Sequence, residues 1–456
     1  MSPKALNQRL IFTILSIIAL IVYLFHPTKY VYSYNLYCML MFLGSVVLFL
    51  IFKKKKNYFD FDILFLTTCF FAFFAYPVLI YPIDPLYFFV FDLGYDRSVI
   101  SQGTALSLLG LEVYMTGSIY YEKNTKESRS TIGFYPIKSF TFITGLLLIL
   151  FLAFGGYNFY VNLYSGIKSI KGGVFAYINI LLITFLMVSI CMQYTNLLYK
   201  DHQRLKMKYV YKPFIFLIGS YVIIILSTGS RTVPLQVVLA LLGTYTLLFK
   251  PFSLKKTAII IVIGVFVLAS ITYARIGKGE ISNIYDAFMD IIIVNRNTFA
   301  AIEYVNNHGH TFGSSMLSYL LQPIPFGQSI VISIFNLDSN YISSAALLTT
   351  EALGETRSLG LGTNIIADIY LSFGAVGVIV FMFFAGWFVA KSKHLALYKT
   401  NYMIIYTVLV ANSVFLVRAE FFYCLQEILW SLIIFYFTKP LFSKRIKILA
   451  NNRMIR

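Results

Sequence analysis

Charged residues are scarce in this chain, 12% of it against 59% hydrophobic residues, and 44 Phe and 35 Tyr add to the apolar mass. That shortage excludes a water-soluble protein, because so little polar surface cannot cover a chain of this length. Acidic residues are rarer still, 19 against 37 Lys and Arg. The resulting formal charge of +18 does not point to nucleic acid. Its cations stand in short runs between apolar segments, the pattern of cytoplasmic loops in an inner-membrane protein. Cysteine is limited to Cys38, Cys69, Cys191 and Cys424, each inside an apolar run and none in a CxxC pair, so neither a disulfide framework nor a metal knuckle is supported. There is no P-loop, GxSxG elbow or HExxH, which argues against ATP-driven transport and the common hydrolase chemistries. No small-residue cleavage site follows the first apolar run, so Met1 to Phe25 reads as a retained span rather than a signal peptide.

What is present is one apolar stretch after another. A membrane span needs about 20 mostly apolar residues. Twelve segments qualify, near 9–25, 32–52, 62–82, 99–120, 139–157, 174–198, 213–228, 232–249, 256–273, 363–389, 401–417 and 420–438. The expected fold is therefore all-α and polytopic, with about twelve transmembrane helices. Residues 1–273 would carry nine spans, 274–362 a large, partly helical loop, and 363–456 three spans and a basic tail. With the N-terminus inside, 27 of the 37 basic residues fall in inner loops, which places both termini in the cytoplasm.

The ten outer-side cations run against the insertion bias. They are Lys29, Arg97, Lys168, Lys171, Arg231, Arg275, Lys278, Arg296, Arg357 and Arg418. From Arg231 onward five of six are arginine, whose planar fork of donors holds phosphate by two-point contact. Together they suggest a site for an anionic, lipid-carried substrate. Arg231 stands in the turn Ser227 to Thr232, where Gly229 permits tight backbone and Ser230 and its neighbours add hydroxyls beside a helix start. The alternative is an arginine snorkelling at the membrane surface.

In the long loop, Phe288, Ile291, Ile292, Phe299 and Ile302 recur at helical spacing, with Arg296 and Glu303 on one face. His308 and His310 flank Gly309 without a Cys or carboxylate at a helpful interval, so a surface turn is favoured over metal ligands. Pro323 and Pro325 interrupt the pattern, and the run Ser329 to Phe335 is too short to span, so it reads as re-entrant or interfacial. A second amphipathic segment, Tyr341 to Leu353, leads to Glu351, Glu355 and Arg357. Asp368 lies about one turn into the following span, where Gly374 and Gly377 would allow close packing. Arg418 and Glu420 form a last outer turn and are either interfacial anchors or part of the site. Glu112 and Glu427, deep in spans, face either a cavity or a neighbouring helix. Asp60-Phe61-Asp62 matches the DxD pattern of nucleotide-sugar transferases, but beside Lys53 to Lys56 it reads as a pair of interfacial carboxylates.

Gly-Ser-Arg on an outer turn, a long outer loop opening on Arg296-Asn297-Thr298-Phe299, and Arg418-x-Glu420 before the last span occur here in one order. In that order, with Gly362-Thr363-Asn364 through Tyr370, Phe373, Gly374 and Gly377 at the loop exit, the second half of the chain resembles the Wzy-type polysaccharide repeat-unit polymerases. The Arg-x10-Gly pattern of some members is absent, since Gly243 falls one place too far from Arg231. The resemblance implies a metal-independent glycosyltransferase without cofactor, similar to the lipid-linked-donor (GT-C-like) enzymes and acting on the periplasmic face of the bacterial inner membrane. It would move a growing glycan from undecaprenyl pyrophosphate onto a new lipid-linked repeat, making O-antigen, common antigen or capsule. The partners implied are the donor and acceptor lipids, the bilayer, a chain-length-regulating co-polymerase and a flippase, with no nucleic acid. Arg231, Arg296 and Arg418 are the expected catalytic cations, with Arg275 a fourth candidate. Glu420, Glu303, Asp368 and His308 are alternatives for the base, and Ser230 and Arg357 complete the expected substrate contacts. An O-antigen ligase would share the outer arginines but carry a histidine motif late in the loop, and a flippase or other transporter would show an internal repeat.

Overall fold

The computed structural model describes residues 3–121, 135, 137–164, 174–200, 210–264, 288–354 and 360–442. It is mostly helical, and among the described residues there is no β-strand. The first nine helices are α1 (Pro3–Leu24), α2 (Tyr32–Phe52), α3 (Phe61–Phe73), α4 (Ile100–Tyr120), α5 (Ile137–Ala153), α6 (Gly156–Tyr164), α7 (Val174–Lys200), α8 (Lys212–Ser227) and α9 (Thr232–Leu248). Then come α10 (Met289–Ile292), α11 (Asn295–His308), α12 (Leu317–Leu321), α13 (Gly327–Phe335) and α14 (Ser344–Leu353). The chain closes with α15 (Ile365–Leu395), α16 (Thr400–Ala411) and α17 (Leu425–Phe442).

The expectation of about twelve transmembrane helices is corrected by this structure. Among the described residues four helices are long and apolar enough to cross a membrane, over Leu6–Leu24, Tyr32–Phe52, Tyr177–Leu198 and Ile365–Leu395. A fifth exists if α5 and α6, bent by 58°, count as one. The physical reason is length. Helices α3 and α16 have 13 and 12 residues, which at 1.5 Å per residue reach only about 20 Å of the roughly 30 Å hydrocarbon core. Helices α8 and α9 are apolar but stop at 16 and 17 residues. Helix α4 has 21 residues, yet its serines, glycines, threonines and Glu112 dilute its apolar content. The GT-C-like architecture that the resemblance implied is corrected with it, since the described residues show neither that many spans nor a β-sheet. The expected span at 256–273 lies partly outside the described residues.

Helix α4 is the centre of the helical body. It packs on α15, α1 and α2, and its residues from Gly103 to Ser118 are buried. The α4–α15 crossing is close because two glycines meet there. A Cβ on Gly117 would lie 2.0 Å from the Phe383 carbonyl oxygen, and one on Gly386 would lie 2.0 Å from that of Tyr114. Gly374 acts differently from the packing role its sequence context suggested. It breaks α15 with φ 63° and ψ −160°, and the carbonyls of Leu371 and Ser372 are taken instead by the amides of Thr311 and Phe312, at 2.9 and 3.1 Å. The loop after α11 is thereby fastened to the broken helix, and the His310 ring lies where a Cβ on residue 374 would stand, 2.9 Å away.

Helix α3 orders the two ends of the molecule. At its start Asp60 and Asp62 meet Lys53, Lys55 and Lys393. Toward its other end Phe71 stacks on Phe288 at 4.3 Å and the Phe73 carbonyl accepts from Asn295 at 3.1 Å, which fixes the entry into α10 and α11. Substituting Gly386→Ala should cost about 1–3 kcal/mol of stability through overpacking and lower the melting midpoint of the detergent-solubilised protein. Gly44→Ala, with nothing within 4 Å of the added carbon, should leave the midpoint level or raise it. Equal losses in the two variants would mean that the α4–α15 contact is not as close as described.

Candidate active site

Arg231 and Arg418 come together on one carboxylate that the sequence reading did not single out. Gly229 turns the chain after α8 with φ +89°, so that Arg231 stands directly before α9 at its N-cap. Arg418 ends a 3-10 turn, Leu416–Arg418, between α16 and α17. Asp290 projects from α10 between them. Its Oδ2 accepts from Arg231 Nη2 at 2.7 Å and lies 3.9 Å from Arg418 Nη1. The three side chains are 28%, 39% and 39% exposed, so the cluster is open to water. The fork geometry of both guanidinium groups suits a phosphate oxygen as well as it suits Asp290. Ser230 beside them is buried, its backbone amide 3.4 Å from Thr228 Oγ1. No sequence signal singles out Asp290, which is one of seven acids in residues 274–362.

Next to Arg418 in sequence, two carboxylates are buried. Glu420 is held at the start of α14, where its Oε1 accepts from Ser343 Oγ at 2.6 Å and from the Ala345 amide at 3.4 Å. Asp368, in the first turn of α15, accepts from the Phe421 amide at 2.9 Å through Oδ2. The remaining oxygen of each, Glu420 Oε2 and Asp368 Oδ1, is buried without a hydrogen-bond partner. Burial and then the neighbouring Asp368 push the Glu420 carboxyl up to about 8, while Ser343 and the Ala345 amide pull in the other direction. A carboxyl of this kind can accept a proton near neutral pH, as an acid–base catalyst must.

Arg296 has other partners. It is 1% exposed, donating through Nε to the Leu93 carbonyl at 2.9 Å and through Nη1 to Asn297 Oδ1 at 3.0 Å and the Leu348 carbonyl at 3.5 Å. Burial lowers its guanidinium to about 10. It joins the segment before α4 to α11 and α14 rather than meeting Asp290. Glu303 and His308 lie further along α11. Glu303 accepts from Asn307 at 3.5 Å, while His308 stacks on Tyr304 at 4.7 Å with Nε2 3.9 Å from Glu351. Arg275 and Arg357, and Glu355 with them, lie outside the described residues.

Three other carboxylate sites stand apart. Asp60 and Asp62 are buried against Lys53, Lys55 and Lys393. Glu112 is fully buried in α4, with neither oxygen hydrogen-bonded. Glu427 accepts from Asn412 at 2.7 Å, and Asn412 in turn accepts from Gln236 at 2.6 Å.

Over residues 7–447 the chain matches the family model described as O-antigen polysaccharide polymerase Wzy. No curated protein and no solved structure matches it.

Replacing Asp290 by Asn removes the charge that competes for the two arginines. Because the pair is part-exposed, its contribution is at most about 1 kcal/mol, so affinity for inorganic pyrophosphate should rise by up to about fivefold in Asp290→Asn. Titration calorimetry on the purified full chain checks this, and weaker binding in the variant would show that Asp290 supports anion binding instead of opposing it.

Proposed function

The chain belongs to the O-antigen polysaccharide polymerase Wzy family and is a polysaccharide repeat-unit polymerase, and we propose that Arg231 and Arg418 are its anion-holding pair. The donor is the growing glycan on undecaprenyl pyrophosphate, and the acceptor is the non-reducing end of a single lipid-linked repeat. The observation that carries this assignment is the convergence of both arginines, from distant turns, on one carboxylate oxygen of Asp290 in a place open to water. Asp290 holds the position that a phosphate oxygen of the donor takes when it binds.

The transfer breaks the bond between the anomeric carbon and the pyrophosphate oxygen, and the bonding electron pair leaves with the pyrophosphate. Arginines fixed beside that oxygen stabilise the charge as it forms, a kind of contact worth on the order of 10²–10³ in rate for one donor. The acceptor hydroxyl forms the new bond to the anomeric carbon, and its proton passes to Glu420. Burial, with Asp368 beside it as the lesser cause, keeps the Glu420 carboxylate basic. Arg296 positions α11 through its carbonyl contacts.

The site faces the periplasm of the bacterial inner membrane in this reading, and the Asp60, Asp62 and lysine cluster faces the cytoplasm. Both termini would lie on the lysine side. Gln8 and Arg9 near the N-terminus reach the Phe52 and Tyr120 carbonyls at the ends of α2 and α4, and Tyr436 in α17 reaches Asn401 at the start of α16. A flippase that delivers the lipid-linked repeat and a co-polymerase that sets chain length are the partners this function calls for.

Arg231→Ala and Arg418→Ala, expressed at normal membrane levels, should each cut chain extension by on the order of 10²–10³ while single repeats still reach the surface. Surface glycan resolved by gel and mass spectrometry reads this, and polymer of wild-type length from both variants would sink the assignment. The pH profile tests Glu420 separately. A base must be deprotonated to act, so with its carboxyl raised to about 8 the rate on lipid-linked repeats should climb about tenfold per pH unit below that value and level above it. Glu420→Gln should lose that limb together with most of the rate; an unchanged profile in the variant would remove Glu420 from the proton path.

A further inference from the structure

Beyond the anion-holding pair, the chain contains a separate pocket of about 270 Å³ between α11, α14 and the turn before α4. Its walls include Gly94, Tyr95, Glu303, Tyr304, Asn307 and Glu351. We propose that this pocket is a sugar subsite that takes one neutral or amino-bearing ring of the glycan and rejects an acidic one. This rests on the repeat-unit transfer reading above and adds to it where the glycan lies and which ring chemistry it admits.

The volume is just under the roughly 300 Å³ at which sites for small molecules begin, which suits a single ring and not an extended oligosaccharide. Its chemistry is that of hydroxyl recognition. Carboxylates accept from hydroxyls and an amide both donates and accepts, while the two tyrosine rings offer flat apolar faces to the C–H side of a sugar. Tyr304 is held in place by its stack on His308, and His308 is drawn toward Glu351. Under the opposite wall Arg296 Nη2 is buried without a partner, and it would stand 2.5 Å from a Cβ on residue 94, so only glycine leaves that wall as bare backbone. Glu303 and Glu351 line the pocket directly and outnumber the one guanidinium under its wall, so the pocket is net electronegative. A pyrophosphate or a uronic acid is therefore repelled here, whereas hydroxyls and amines are accepted. Glu303 stands eight residues into α11, about 12 Å along the axis from its start, and α10 with Asp290 lies just before that start.

The test is saturation-transfer NMR on the full chain in detergent, with glucose, N-acetylglucosamine, glucosamine and glucuronate as probes at equal concentration. Saturation is expected for the first three and not for glucuronate. Tyr304→Ala should lose it, and so should Asn307→Ala, whose exposed position keeps the substitution from disturbing the fold. The double variant Glu303→Gln, Glu351→Gln should admit glucuronate. Wild-type signals in both single variants, or glucuronate bound as well as glucose by the native chain, would overturn the subsite. Arg231→Ala run alongside separates the two readings. Retained sugar signals with lost extension support both; normal extension in Arg231→Ala would fell the transfer assignment alone, because the sugar signals of the pocket variants still decide the subsite.

Discussion

A charge that leaves water inside an apolar helical body must find a partner, because an unpaired buried ion costs far more than any single contact returns. That constraint orders this protein at both ends of α3. At one end Asp60 is bound by Lys393 and, at 2.5 Å, by Lys55, while Asp62 is bound by Lys55 at 2.8 Å, Lys53 at 3.4 Å and the Tyr114 hydroxyl at 2.9 Å. Burial alone would raise the Asp60 carboxyl, yet Lys393 and Lys55 outweigh it and hold it below its ordinary range. The cluster draws together the end of α2, the start of α3, α4 and the far part of α15. At the other end Arg231 and Arg418 meet the Asp290 carboxylate in contact with water. One end is a closed ionic knot and the other is the open cluster proposed to hold the anion.

The helices follow from that arrangement. Short α3 and α16 serve to carry charged turns to fixed places instead of spanning the bilayer alone. Helix α16 runs into the turn that bears Arg418, and α3 packs against both that turn and α10, which bears Asp290. Helix α15 is broken at Gly374, and the amides of the loop after α11 close the gap in its ladder. The broken helix therefore holds Asp368 above the break and Lys393 below it, so one element joins the carboxylate pair to the ionic knot.

Much of the long loop was legible from apolar periodicity. The spacing from Phe288 to Ile302 gave the region of α10 and α11, and Tyr341 to Leu353 gave α14. Arg231 and Arg418 stood out because the expected topology set them against the insertion bias, and the structure brings both to the Asp290 carboxylate. What failed was the count of spans. Hydropathy sees that a segment is apolar but not whether its helix stops at 12 or 16 residues, and termination here is set by turns such as the one at Gly229 after α8. Asp290 was missed for a related reason: it gains meaning only from two arginines that are distant in sequence. Arg296, read as one of three equivalent cations, proves to be saturated by carbonyls on its Nε and Nη1, a fact that no spacing rule carries.

The arrangement along α11 gives the site a direction. Cationic groups gather before its start, and acids with aromatic rings gather at its far half, so the two ends attract opposite chemistries. A lipid-linked glycan has the same polarity, with its anion at the lipid and hydroxyl-rich rings beyond. On the proposed transfer, a reversed substrate would place pyrophosphate against Glu303 and Glu351, which is unfavourable, so orientation would come from this opposition of charge. Glu420 lies two residues beyond Arg418, and in that reading the turn that holds the leaving group would also hold the base, so a shift of either would be a shift of both.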